Sequence, residues 1–364
     1  MKLHLYFARR FLWSFMALLV IFGVFQALLD LIEELRQTDG DISFGQVLTL
    51  TALKLPEGIY QLVPLVMILS TIALFLALAR SSELVVARAA GRSGLAVLSA
   101  PVLVAFVIGA LTVAMFNPIV AATSKRYADL SEIYENGGAS ALSIGAEGLW
   151  LRQGGAQGQS VIHAARANAD ATVLYDVTFV VYAPGGGPIT RIAAREAALD
   201  GGEWVLQQAR VWPLTAGLNP EAGAKNHDQL RLVSTLTQES IRDRFGRPSS
   251  IALWDMPAFI RDLETAGFSA RRHVVWFQME LARPFFLVAM VLLGAGFTMR
   301  PTRLGRTGVM VLSAVLLGFG LYYVRNFAQI LGENGQISPL LAAWVPPIAS
   351  VLLALGLILH IEDG

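Results

Sequence analysis

Catalysis or metal binding needs reactive side chains at workable spacing, and this chain offers few. It contains no cysteine, which removes disulfides, thiolate metal sites and a cysteine nucleophile together. His163 and His227 lie in its middle without partners at ligand spacing, and read as satisfied or exposed histidines. Only four lysines occur, none in a G-x-x-x-x-G-K-S/T phosphate loop, and neither H-E-x-x-H nor G-x-S-x-G is present. The chain has no visible means of hydrolysing ATP or a peptide unaided, and no metal or cofactor is expected on it.

What stands out is charge in apolar surroundings. Arg325 follows a long apolar run, and Glu280 with Arg283 opens another. Ionisable groups in a membrane span are costly, so they face a cavity or a partner. A guanidinium such as Arg325 can grip a phosphate with two parallel hydrogen bonds. Arg36 and Lys54 sit at the ends of their runs, where snorkelling places a base among lipid headgroups. Arg36, Lys54 and Arg325 are therefore the candidate headgroup contacts. A second feature is SSELVVARAAG (Ser81–Gly91). Ser82 can cap a helix, Glu83 suits its positive first turn and Gly91 is a natural terminator. The predicted helix is too short to cross a bilayer. It presents Ala87, Ala89 and Ala90 beside Leu84, Val85 and Arg88, either as an ordinary connector or as a docking helix that transmits force from a partner.

The elements that position these residues follow from composition. Of 364 residues 55% are hydrophobic and 15% charged, against about 25% charged in a soluble chain. A net charge of +1 gives no general field for nucleic acid. Six apolar runs approach the roughly 20 residues a span needs: Phe11–Leu29, Gly58–Ala79, Ser93–Ser124, Trp276–Met299, Thr307–Leu331 and Ile337–Ile361. The first run is too long for a signal-peptide core and lacks a cleavage site, so it is read as a retained helix. Lys2, Arg9 and Arg10, then Arg80, Arg88 and Arg92, then Arg300, Arg303 and Arg306 occupy alternate connections. The positive-inside rule then puts both termini in the cytoplasm and the long segment Lys125–Arg272 outside. Pro346 and Pro347 should kink or interrupt the sixth span. Gly294, Gly296, Gly318 and Gly320 permit close helix approach and mark candidate packing against another subunit.

The long segment changes period. Thr172–Ala183, Ile189–Ala193, Trp204–Leu214 and Gln229–Leu236 read as strands bounded by Gly, Pro and Asn, and Asp255–Ala266 as a short helix leading back to the membrane. Several short strands in this length suggest a sandwich, an open barrel or a jelly roll. The chain then divides into residues 1–124 (spans one to three, with a helix at 82–91), 125–272 (the β-rich insert) and 273–364 (spans four to six).

SELVVARAAG (Ser82–Gly91), LDLIEELR (Leu29–Arg36), LPEGIYQLVPL (Leu55–Leu65), WDMPAFIRDLETAGFSARRH (Trp254–His273) and LLGFGLYYVRNF (Leu316–Phe327), in this order and spacing, resemble the lipopolysaccharide-export permeases LptF/LptG, the LptG branch more closely. The resemblance covers essentially the whole chain. It implies a membrane bundle of six helices with an inserted periplasmic β-jelly-roll-like domain, in the bacterial inner membrane. It also implies a second six-span permease (LptF-type), a cytoplasmic ABC ATPase dimer (LptB-type) that holds the ATP and Mg, periplasmic bridge proteins (LptC/LptA-type) and lipopolysaccharide as cargo. On that pattern Glu83 is the coupling-helix acid that meets the ATPase, with Leu84, Arg88, Ala90 and Gly91 shaping the contact. Family members often carry lysine toward the outer end of span one, where this chain has Asp30, Glu33 and Glu34 with Arg36 as the nearest base. Either the lipid is differently charged or Arg325 takes over.

The implied task is consistent with the chain's apolar walls. Withdrawing a lipid with roughly sixty methylenes into water would cost on the order of 50 kcal/mol, at about 0.8 kcal/mol each. The lipid must therefore pass into an apolar cavity that a partner's ATP resets. A membrane-anchored periplasmic binding or assembly module without ATPase coupling is the alternative.

Overall fold

The computed structural model describes residues 2–37, 43–89, 91, 93–136, 142–145, 148–155, 158–167, 173–183, 186–214, 220–234, 248–265, 269–299 and 307–363. In chain order these form α1 (Lys2–Gln37), α2 (Phe44–Arg80), α3 (Glu83–Ala89) and α4 (Gly94–Leu111). A single π turn (Thr112–Phe116) joins α4 to α5 (Asn117–Asn136). Seven strands follow, then α6 (Met256–Thr265), α7 (Arg271–Thr298), α8 (Thr307–Glu333) and α9 (Pro339–Asp363). The chain separates into two compact units, Met1–Tyr127 with Arg271–Gly364, and Ala128–Ala270.

In the first unit the apolar runs become helices longer than the runs themselves. Among the described residues six are long and apolar enough to cross a membrane, taking Gly94–Ser131 as one. With 36 residues α1 is about 54 Å long, well beyond the ~30 Å hydrocarbon layer. Its charged ends extend the helix because Phe7, Phe11 and Phe15, spaced four apart, keep one stripe buried while Arg36 stays exposed. At the start of α2 the Ser43 N–H donates to the Gln46 side chain at 2.8 Å, closing an orphan donor. That helix continues through Pro56 and Pro64.

The most buried span is α7, packed on α2, α4, α8 and α9. Gly294 makes this possible: a Cβ there would lie 3.0 Å from Thr71 Cβ and 3.1 Å from the Ile68 carbonyl. Gly296 and Gly318 are likewise filled by side chains of this chain, Leu357 and Ile68, so their role is internal packing. Gly320 has nothing within 4 Å. α9 is not interrupted and runs as one helix through Pro346 and Pro347. Arg271 secures the α8–α9 turn by donating to the carbonyls of Gly332 (2.6 Å) and Ile337 (2.5 Å).

The second unit is one antiparallel meander: β1 (Leu142–Gly145), β2 (Gly148–Gly155), β3 (Gly158–Ala167), β4 (Val173–Tyr182), β5 (Pro188–Asp200), β6 (Glu203–Pro213) and β7 (Lys225–Val233), each paired with the next. Alternate residues point inward, so Ile162, Leu174, Phe179, Ile192, Trp204 and Leu206 form its core. The sheet curls until β2 meets the end of β7: Ser234 Oγ donates to Gln153 Oε1 at 3.1 Å. β1, β2 and β3 were not signalled, because their glycines and alanines carry little strand preference. β5 runs through AAREAALD, a helix-prone stretch, because both its edges are occupied by β4 and β6.

Candidate functional site

The chemistry of the helical unit gathers in a buried cluster of charge. Glu280 and Arg283 stand three residues apart on α7, the spacing that brings side chains together on one face. Arg283 donates from Nε to Glu280 Oε2 at 2.9 Å and from Nη2 to Oε1 at 2.7 Å. The Tyr60 hydroxyl of α2 donates to the same Oε2, and the Arg283 guanidinium lies 3.8 Å over the Tyr60 ring. Arg283 Nη1 also donates to the Tyr60 carbonyl at 3.3 Å, and Asn117 Nδ2 reaches the Tyr60 hydroxyl at 3.5 Å. Three spans are thus tied by one network whose acid is fully engaged.

Arg325 of α8 is different. It is 8% exposed, and its guanidinium lies 5.4 Å over the Phe286 ring. Among the described residues it donates no hydrogen bond and forms no ion pair. It faces a cavity of about 270 Å³ lined also by Gln61, Glu280, Arg283, Tyr322 and Asn326. A second cavity of about 220 Å³, mainly apolar, shares Gln61, Pro64 and Tyr322 with the first and adds Leu65, Ile68, Met290 and Phe319. A compartment holding an available cation therefore adjoins an apolar one. That is the arrangement an amphiphile with an anionic head requires.

The other two predicted headgroup residues lie elsewhere. Lys54 is paired with Glu34 at 3.0 Å, and the Tyr127 hydroxyl donates to that same carboxylate at 2.8 Å. Nearby, Gln26 donates to Asp30 Oδ1 at 2.9 Å, while the buried Oδ2 has no hydrogen-bond partner among the described residues. Arg36 is exposed, 3.8 Å from Glu33. Neither base lines the cavity at Arg325, so the three are not brought together.

At the α2–α3 junction Glu83 is held by three donors. Arg10 of α1 reaches its oxygens at 2.8 and 2.9 Å, Tyr6 at 2.8 Å and Ser81 Oγ at 2.8 Å. Burial pushes the Glu83 carboxyl up, but the hydrogen bonds from Arg10, Ser81 and Tyr6 outweigh it and hold the group below its ordinary value. Leu84 is buried, whereas Val85 and Val86 are 63% and 67% exposed. Ser82 does not take the extended conformation of a side-chain cap: its φ is +58°, and its carbonyl accepts from Val86 N at 3.1 Å. Gly91 has φ +75°, the left-handed geometry a glycine terminator supplies. Ala90 and the Arg88 side chain lie outside the described residues.

Sequence reasoning missed Tyr60, Asn117, Tyr6 and Tyr127, which are ordinary residues in or beside apolar runs. Arg10 was read only as an orienting charge. Spacing alone could have paired Glu280 with Arg283. Over residues 5–360 the chain matches the family described as lipopolysaccharide export system permease LptF/LptG. It is 24% identical over 358 residues to the lipopolysaccharide export system permease protein LptG of Haemophilus influenzae, covering 95% of this chain and 94% of that protein. A match running from α1 to the last turns of α9, across both the helical bundle and the inserted sheet, means that the chain belongs to the LptF/LptG family of lipopolysaccharide export permeases.

Proposed function

We propose that this chain is the permease subunit that draws lipopolysaccharide from the inner membrane into the paired cavities of its helical unit and passes it to the β-sheet unit on the periplasmic side. A second homologous permease (LptF-type) completes the channel. A dimeric ABC ATPase (LptB-type) docks at α3 from the cytoplasm, carries the ATP and Mg, and resets the cavity after each release. Bridge proteins of the LptC/LptA type receive the lipid. The observation that carries this reading is the apolar cavity adjoining a buried Arg325 that forms no ion pair among the described residues. Arg325 contacts the lipid head, Lys54 meets a headgroup only after Glu34 is displaced, and the exposed Arg36 can meet one directly.

Coupling runs through Glu83. Its links to Arg10 and Tyr6 join α3 to α1, so a push on α3 reaches a span that lines the apolar cavity through Gln26. Val85 and Val86 supply exposed apolar contact beside that acid. Affinity capture of the full chain from native membranes in mild detergent, with mass spectrometry, tests the assembly. Recovery of an ABC ATPase and a second six-span permease is expected. Recovery alone or with periplasmic proteins only would favour an anchored binding module.

A further inference from the structure

Among the described residues three charged side chains line the polar cavity: Glu280, Arg283 and Arg325. Both oxygens of Glu280 are occupied by Arg283, and one also by Tyr60, so this acid is a fixed counter-ion for Arg283. Two guanidiniums and one carboxylate leave the compartment with a single uncompensated positive charge, on Arg325. A buried charge is tolerated when it is paired, and any excess of either sign is costly. The match is therefore a ligand group of unit negative charge whose two oxygens fit the guanidinium fork. A phosphate monoester brings about −1.5 to −2 at neutral pH and leaves a surplus beside Glu280.

We propose that this cavity selects a singly charged oxyanion, a carboxylate or a phosphodiester, on the amphiphile it holds, and discriminates against a phosphate monoester. This rests on the lipid-binding reading above and adds the charge class of the headgroup. The adjoining apolar cavity makes the ligand a lipid rather than a free anion.

The test uses the full chain with its co-purifying partners in nanodiscs. Binding is measured for three acylated glucosamine disaccharides that differ at one position: a hydroxyl, a carboxylate or a phosphate monoester. The carboxylate form is expected to bind at least tenfold more tightly than the other two. Arg325→Gln should bring the carboxylate form down to the hydroxyl form. Asn326→Lys adds a second uncompensated positive charge to the cavity lining without replacing either member of the Glu280–Arg283 pair. It should bring the monoester level with the carboxylate or above it, a gain that misfolding cannot produce. A wild-type preference for the monoester, or an unchanged order in Asn326→Lys, would overturn the proposal. So would equal competition by acetate or inorganic phosphate alone, which would mark a free-anion site. Binding without any charge preference sinks this inference and leaves the permease reading standing; no binding of any of the three lipids sinks both.

Discussion

Replacing Arg283 by methionine tests the buried network directly. The Arg283 side chain is 11% exposed and that of Glu280 is 2% exposed, so each charge is held chiefly by the other. The substitution removes both guanidinium bonds to Glu280 and leaves the carboxylate with the Tyr60 hydroxyl. Breaking a buried pair in this way costs about 3–5 kcal/mol, whereas replacing both partners by apolar groups of similar volume is close to neutral. Arg283→Met is therefore expected to lose about 3–5 kcal/mol, and Arg283→Met with Glu280→Met to recover most of it. Tyr60→Phe, which removes one hydrogen bond to a charged group, should lose about 1.5–3 kcal/mol. Reversible unfolding in mixed dodecyl maltoside and SDS micelles, followed by far-ultraviolet circular dichroism, gives these values. A loss below about 1 kcal/mol for Arg283→Met, the range of exposed ion pairs, would refute the reasoning. So would additive losses in the double variant.

Other outcomes follow from single contacts. The Glu83 carboxyl lies below its unfolded value, so its contribution is fully present above the ordinary carboxylate value and is lost as pH falls through the lowered one. The protection factor of the α3 amides in hydrogen exchange should stay constant from neutral pH down to about pH 5 and fall only below about pH 4; a fall near pH 6 would contradict this. With side chains 31% and 35% exposed, the Arg10–Glu83 pair is worth at most ~1 kcal/mol, so Glu83→Ala should keep its melting profile while recovering less ATPase on affinity capture. Gly294→Ala should cost about 1–3 kcal/mol through overpacking on Thr71, while Gly320→Ala, in open space, should gain up to about 1 kcal/mol in the same micelle titration. Ser82→Gly should stabilise the α2–α3 junction by about 1 kcal/mol, because φ +58° strains any residue with a Cβ; protection of the Val86 amide reports it.

The spans were legible because a lipid environment forbids charge over some twenty residues, and that prohibition is written position by position. Their ends were not. α1 and α2 continue past their apolar runs because neighbouring helices hold one stripe of each, a fact that lies in other parts of the chain. In the sheet, TVLYDVTFVVYA declares itself through β-branched and aromatic side chains, while β1, β2 and β3 exist through pairing alone. The cost of placing Glu280, Arg283 and Arg325 in apolar runs was visible. Their i,i+3 spacing could pair Glu280 with Arg283, but the hydrogen bond that completes the acid's shell comes from Tyr60, 220 positions from Glu280, and no local pattern announces it. Lys54 shows the converse: a base that invites a lipid phosphate on paper already has Glu34 within 3.0 Å.

The π turn at Thr112–Phe116 has a consequence for how this span tolerates changes in length. Such a turn takes one residue more than an α-helix uses to cover the same arc. Everything after it is therefore rotated about 100° from where uninterrupted α geometry would aim it. Asn117 toward Tyr60, Ser124 toward Glu57 (3.1 Å) and Tyr127 toward Glu34 all depend on that rotation. Removing any one of the five residues would let the turn relax to α geometry and swing all three side chains off their partners together. The azimuth of half a membrane span is thus set by a single codon, and that codon can be lost without deleting any of the residues that make the contacts.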